Sequence, residues 1–470
     1  MNIRIINYLW QEKGFTLIFL AMIISSSVLV VFYPLVGGIG LVAIFSTTFF
    51  TYSSEQFFIK ATFLLFIVSA FLGAYLSFPG YQSIFLFRIL LILQLLILIV
   101  YRNSLVHLDY GKRTNFSIEI LLFMWVVGCF MTLFWAEYKT IGLRNVYYAF
   151  EASCLLCIPS YFIYTRKALK ETLTITSIIY IISLGIGFYE VISGQHLKLS
   201  GSLFYETTTS QFQPTGFLFN TNDYALFLGM FLPLVFYRLY SVATHPFIRI
   251  SGLVVWFLSF YLVITTYSRL GIISMVLVSI VIYWIYFKRV TLALLFVGSL
   301  ALLLKELYSV ELFQNALHII QLSFTQKGAS TSDRLNLYTI IWTIAKKSYF
   351  FGIGAGGIPI EIAVVRQGHE SSYLNFNSAH NFFLETLGEI GFFTVFLVSV
   401  IVILFYRFLT ICVKKTSGTI VEYSPLLMLI LFLFSSVALS TIVEQRFLWI
   451  GLGLAWTVYL LKEGGNLEDD

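Results

Sequence analysis

Charge is scarce in this sequence. Only 11% of its 470 residues are charged, 23 acidic against 29 basic. So few charges cannot cover a soluble globular protein of this length. The net charge of +6 calls for no nucleic acid, because loop bias accounts for it. Cysteine is nearly absent, occurring at Cys129, Cys154, Cys157 and Cys412. None falls in an outer loop, so no disulfide framework follows. Cys154-Leu-Leu-Cys157 has C-x-x-C spacing inside an apolar helix, where small core residues are expected rather than a redox or zinc pair. No Pro- or Ser-rich linker and no low-complexity segment divides the chain, so it reads as one membrane domain, residues 1–470. His107, His196, His245, His318 and His369 show no metal-ligand spacing. The outer loops lack an Asp-x-Asp pair, so a metal-bound sugar nucleotide is not expected.

Apolar residues fill the space that charge leaves: 59% are hydrophobic and 18% aromatic, with a mean hydropathy of +0.89. Runs such as Phe15–Tyr33 and Ile84–Tyr101 approach the ~20 residues that cross a bilayer. Such spans are helical, because lipid offers backbone groups no partner. The fold class is therefore all-α and polytopic, with about 12–14 transmembrane helices, ending in the runs Phe382–Phe408, Pro425–Ile442 and Phe447–Leu461. Val36–Thr51 and Thr291–Leu304 are short, which sets the lower count. The first run is too long for a signal peptide and no small-residue cleavage site follows it. Seventeen of the 29 basic residues fall on one side, mostly in short loops, which predicts both termini in the cytoplasm.

One large outward-facing loop, residues 305–379, interrupts the spans. Loops of this size are functional or disordered. Within it Ser330-Thr-Ser-Asp333 offers N-caps. Leu337, Ile340, Ile341, Ile344 and Ala345 then recur at helical spacing, which predicts an amphipathic helix on the outer membrane surface. Gly352-Ile-Gly-Ala-Gly-Gly357 lacks the Lys-Ser/Thr of a P-loop and reads as a tight turn. His380-Asn381 leads into the next span, with Glu385 and Glu389 on its first turns.

Each polar residue here has a plain reading and a chemical one. Arg269 closes the turn Thr265-Thr-Tyr-Ser268 and either snorkels to the interface or binds an anion through its fork of donors. Arg334 is either solvated or a second such cation; together they suit a pyrophosphate. His380 is either structural or a general base, oriented or tuned by Glu385 and Glu389. Asn220 and Asn222 flank a helix entry, where Asn222-Asp223 suits an N-cap and a substrate role is the alternative. Tyr205, Phe212, Phe217, Phe219, Tyr373 and Phe376 stack on sugars or form an interfacial belt.

The ordered set resembles a known family. Gly216-Phe-Leu-Phe-Asn220-Thr-Asn222 is followed by Ser268-Arg269-Leu-Gly271, then Arg334 ahead of Trp342, then Phe351-Gly-Ile-Gly. Ala379-His380-Asn381-Phe-Phe-Leu-Glu385 and Gly388-Glu-Ile-Gly391 complete it. This is similar to the O-antigen ligase and Wzy-type O-antigen polymerase superfamily, which includes teichuronic-acid-type members. The family's Pro before the Gly-x-Gly turn is replaced here by Ser348-Tyr-Phe-Phe351. The resemblance implies a metal-independent glycosyltransferase without cofactor, at the bacterial cytoplasmic membrane. Its donor is an undecaprenyl-diphosphate-linked glycan. Arg269 and Arg334 would hold the pyrophosphate, His380 would take the acceptor proton, and Asn381 would order the loop, with Asn220, Asn222 and Glu385 in support. Its implied partners are membrane lipid and a chain-length regulator or other polysaccharide-assembly proteins.

The leading function is a polysaccharide polymerase that moves a glycan chain onto the sugar hydroxyl of a lipid-linked repeat unit. A ligase using the same donor is the alternative. A lipid-linked oligosaccharide flippase is the alternative of another class; it should show internal repeats, and none is visible. For topology, a Gln367→Cys variant is expected to label from outside intact cells with an impermeant thiol reagent. Labelling only after lysis would reverse the orientation.

Overall fold

A computed structural model describes residues 40, 55–78, 81–100, 112–200, 202–206, 208, 210–288, 329–367, 380–414, 418–439 and 442–464. The expected spans Phe15–Tyr33 and Thr291–Leu304 lie outside these residues, as does Val36–Thr51 apart from Gly40. So do Tyr373 and Phe376.

The described elements run in the order α1 (Glu55–Leu72), β1 (Ser77–Phe78), β2 (Tyr81–Phe85), α2 (Leu86–Val100), α3 (Lys112–Thr132), α4 (Lys139–Phe162) and α5 (Arg166–Ser193). They continue with α6 (Thr221–Phe236), α7 (Pro246–Thr265), α8 (Arg269–Tyr286), α9 (Ala329–Lys347) and α10 (Ile358–Gln367). The last four are α11 (Phe382–Ile390), α12 (Thr394–Lys414), α13 (Ile420–Ala438) and α14 (Arg446–Glu463). The protein is an all-α polytopic membrane protein, with β1 and β2 forming a short antiparallel hairpin. Among the described residues seven helices are long and apolar enough to cross a membrane, and Leu86–Val100 and Ser117–Thr132 are shorter apolar helices. Glu151 of α4, which is buried, and Arg446, the first residue of α14, face each other at 3.5 Å.

The chain forms two compact units. The first comprises residues 1–107, 161–163 and 167–219. Phe63 stacks on Phe162 at 4.9 Å and Phe66 on Phe87 at 5.4 Å. Its polar centre is Glu190, fully buried near the end of α5. That carboxylate accepts the Thr215 and Gly216 N–H groups at 2.7 and 2.8 Å. The His196 ring meets the Thr215 hydroxyl at 3.1 Å and the Gln211 carbonyl at 2.8 Å, with Glu190 at 3.4 Å. One buried carboxylate thus folds residues 193–219 back onto their own helix.

The second unit comprises residues 108–160, 164–166 and 220–470. Its centre is α6, apolar on every side and buried along its length. Between apolar helices in lipid, close backbone approach supplies the attraction. A Cβ on Gly271 of α8 would stand 2.4 Å from the Ala225 Cβ of α6, so the two helices pack with their N-terminal ends together. Trp449 of α14 gathers Trp125, Phe382 and Phe432 within 5.6, 6.3 and 5.3 Å.

Two expectations about residues 305–408 change. The amphipathic helix forms as α9, but Leu337 and Ile341 pack on Ile358 and Ile362 of α10, with Leu384 of α11 against the same cluster. Leu337 and Ile341 are therefore buried against protein, while Leu335 and Trp342 of the same helix stay exposed. The expected span Phe382–Phe408 is divided at Gly391, where φ is +61° and a Cβ would lie 1.9 Å from the Phe350 carbonyl oxygen. Residues Phe382–Val413 together remain long and apolar enough to cross a membrane, with α12 supplying 21 of them.

Burial pushes the His196 imidazole down, but its hydrogen bond and charge interaction with Glu190, aided by the Gln211 carbonyl and Glu206, leave it raised. Stability from the imidazolium is then complete below the ordinary value of about 6.5 and is lost as pH rises through the raised folded value. In melting curves of the purified protein, the stability gap between wild type and His196→Gln is expected to be largest in acid and to shrink with rising pH. A gap that widens toward alkaline pH would contradict this assignment.

Candidate functional site

The site is assembled where helix ends meet in the second unit. Helix α7 closes at Thr265 and α8 opens at Arg269. Between them Tyr267 takes φ +55°. The Ser268 hydroxyl accepts the Gly271 N–H at 3.3 Å, capping α8. Arg269 is therefore the first residue of its helix. A cation there opposes the positive end of the helix dipole. The positive end of the helix dipole and the guanidinium together favour an anion.

Arg334 lies on α9, half-buried. Its Nη1 donates to the Val437 carbonyl at 3.2 Å, one of the last carbonyls of α13, which have no partner within their own helix. Burial lowers the Arg334 pKa, the Tyr338 phenol counters this, and the charge on Arg269 lowers it further.

His380 enters from the opposite strand of the insertion. Its φ is +48°, a left-handed conformation uncommon outside glycine. Its carbonyl accepts the Tyr338 hydroxyl at 3.3 Å. Tyr338 is one turn beyond Arg334 on the same face of α9. The Tyr338 hydroxyl therefore ties the His380 backbone to the helix that carries Arg334. Asn381 caps α11, its Oδ1 accepting the Leu384 N–H at 3.2 Å, and Glu385 stands on the first turn.

Other sequence expectations are corrected here. The cap of α6 is Asn220, whose Oδ1 accepts the Asn222 N–H at 2.8 Å. Its backbone is extended, whereas Asn222 and Asp223 are already helical. Asp223 is buried and accepts from Gln445 Nε2 at 2.9 Å. Because α6 and α8 start at the same end, Asn220 and Asn222 lie on the side of the unit where Arg269 stands. Glu389 does not tune His380. It sits at the far end of α11, where the Gly356 and Ile358 N–H groups donate to its carboxylate. Residues Ser330–Asp333 lie inside α9, which begins at Ala329. Tyr205 and Phe217 are buried, while Phe212 and Phe219 keep open faces. The Gly352–Gly357 run is a turn, with φ +79° at Gly352, where a Cβ would strike the Glu389 carbonyl oxygen at 2.2 Å.

Sequence reasoning missed Tyr338 and the Val437 carbonyl. The first is one tyrosine among 29 and carries no signal of its own. The second is a backbone atom whose role depends on where α13 ends.

The O-antigen ligase family model matches residues 253–399, a span that contains Arg269, Arg334 and His380. The chain is also 28% identical over 451 residues to a teichuronic acid biosynthesis protein, TuaE, of Bacillus subtilis (strain 168), covering 88% of this chain and 87% of that protein.

Proposed function

We propose, from the premise that this membrane protein carries the O-antigen ligase domain, that it is a polysaccharide polymerase drawing on a polyprenyl-diphosphate-linked glycan. The observation that carries this reading is the pair of cations, Arg269 at a helix start and Arg334 held by a helix-end carbonyl. Cations fixed in this way suit a multiply charged anion. A diphosphate supplies that charge, and the similarity to a teichuronic acid biosynthesis protein supports a surface glycan as the group it carries.

The reaction is a single displacement. The acceptor hydroxyl oxygen attacks the anomeric carbon of the donor sugar. His380 takes the hydroxyl proton. The bond from that carbon to the diphosphate oxygen breaks, and its electron pair leaves on the diphosphate. Arg269 and Arg334 offset the growing negative charge. The first-turn amides of α8 add to that field. The cap at Asn381 fixes the backbone that carries His380. A ligase, with another acceptor for the same donor, shares every one of these steps, and the description of the matching family favours keeping it as the second reading.

Two outcomes test the proposal. In cells making the polymer, His380→Ala is expected to slow transfer by about a hundredfold or more, with lipid-linked repeat units accumulating. Normal chain extension would remove the general base. Arg269→Lys and Arg334→Lys, made separately, are each expected to lose about a hundredfold, because the bidentate fork is gone. Unaltered activity in both would remove the diphosphate site.

A further inference from the structure

A cleft of about 650 Å³ opens beside the Gly352 turn, within the range of small-ligand sites and apart from the arginine pair. One wall comes from the loop between α3 and α4, with Trp135, Glu137 and Tyr138; the other carries Phe351, Gly352 and Glu361. Its aromatic rings are exposed yet held. Trp135 remains 43% accessible although its Nε1 donates to the Gly352 carbonyl at 2.9 Å. Phe351, 55% accessible, is braced edge-on against Phe392 at 5.6 Å. Holding an indole rigid while its face stays wet costs side-chain freedom with no burial in return. Glu137 and Glu361 both act on the Tyr138 phenol, raising it, which places two carboxylates at one end of the cleft.

The lining has the chemistry of a sugar site. Aromatic faces cover the C–H side of a pyranose, and carboxylates accept charge-assisted bonds from its hydroxyls. Two carboxylates also repel an anionic sugar. The cleft is coupled to the reaction centre by backbone. Ile353 and Gly354 donate to the Gly388 and Glu389 carbonyls at 3.1 and 2.9 Å, at the end of α11 opposite His380. Nine helical residues separate the two ends by about 13 Å, the reach of a short oligosaccharide rather than one ring.

We infer that this cleft is a glycan subsite that grips an uncharged or amino pyranose of the chain a few residues away from the bond being formed. The inference rests on the proposed function, but its test does not depend on turnover. Oligosaccharides released by mild acid from the producing cells' own polymer would be titrated into the purified full-length protein by calorimetry. Saturable binding is expected, weakened about tenfold or more by Trp135→Ala and by the double change Glu137→Gln with Glu361→Gln. Trp135→Phe, which keeps a stacking face, should retain most affinity. Trp342→Ala, an exposed ring outside the cleft, should bind like wild type. Absence of saturable binding, or equal affinity in Trp135→Ala, would overturn the subsite. If His380→Ala still made polymer while Trp135→Ala lost binding, the catalytic reading would fall and the subsite would stand.

Discussion

Two cations fixed at helix ends are the constraint around which the candidate site of the second unit is arranged. Arg269 is pinned by the start of α8, and Arg334 by the Val437 carbonyl at the end of α13. Neither helix end suffices alone. The first has the wrong sign for a cation and the second has the right one. The protein therefore holds positive charge at a place where folding alone gives little reward for it. That pattern belongs to sites whose stability is completed by ligand.

The insertion is a scaffold for this arrangement. Helices α9, α10 and α11 share a small apolar core of Leu337, Ile341, Ile358 and Ile362. That core sets α9 so that Arg334 and Tyr338 face the end of the bundle. Backbone bonds from the Gly352 turn to the end of α11 fix the same helix whose capped start carries His380. Ligand chemistry and packing thus meet on one short helix, with its charged ends assigned to different tasks.

Much of this was legible in the sequence, and what was not has identifiable causes. The periodicity of Leu337, Ile341 and Ala345 revealed α9, because burial on one face imposes that spacing. It could not reveal what covers the face, since lipid and protein select the same residues. The division of Phe382–Phe408 was hidden because apolar composition continues through Gly391; only the clash with the Phe350 carbonyl demands glycine there. Arg269, Arg334 and His380 stood out because polar groups are rare in this chain. Tyr338 did not, because one more tyrosine among 29 carries no signal. The buried Glu190 was overlooked because its partners, His196, Thr215 and Gly216, lie 6 to 26 residues away in sequence at no regular spacing.

The break at Gly391 separates the orientation of α11 from that of the lipid-embedded α12. In an unbroken helix, each inserted or deleted residue turns everything beyond it by about 100°. A glycine joint with its own backbone bond, Phe392 N–H to the Phe350 carbonyl at 2.8 Å, absorbs such a rotation before it reaches His380. A change of length on the far side of this joint therefore leaves the orientation of α11 to its own contacts.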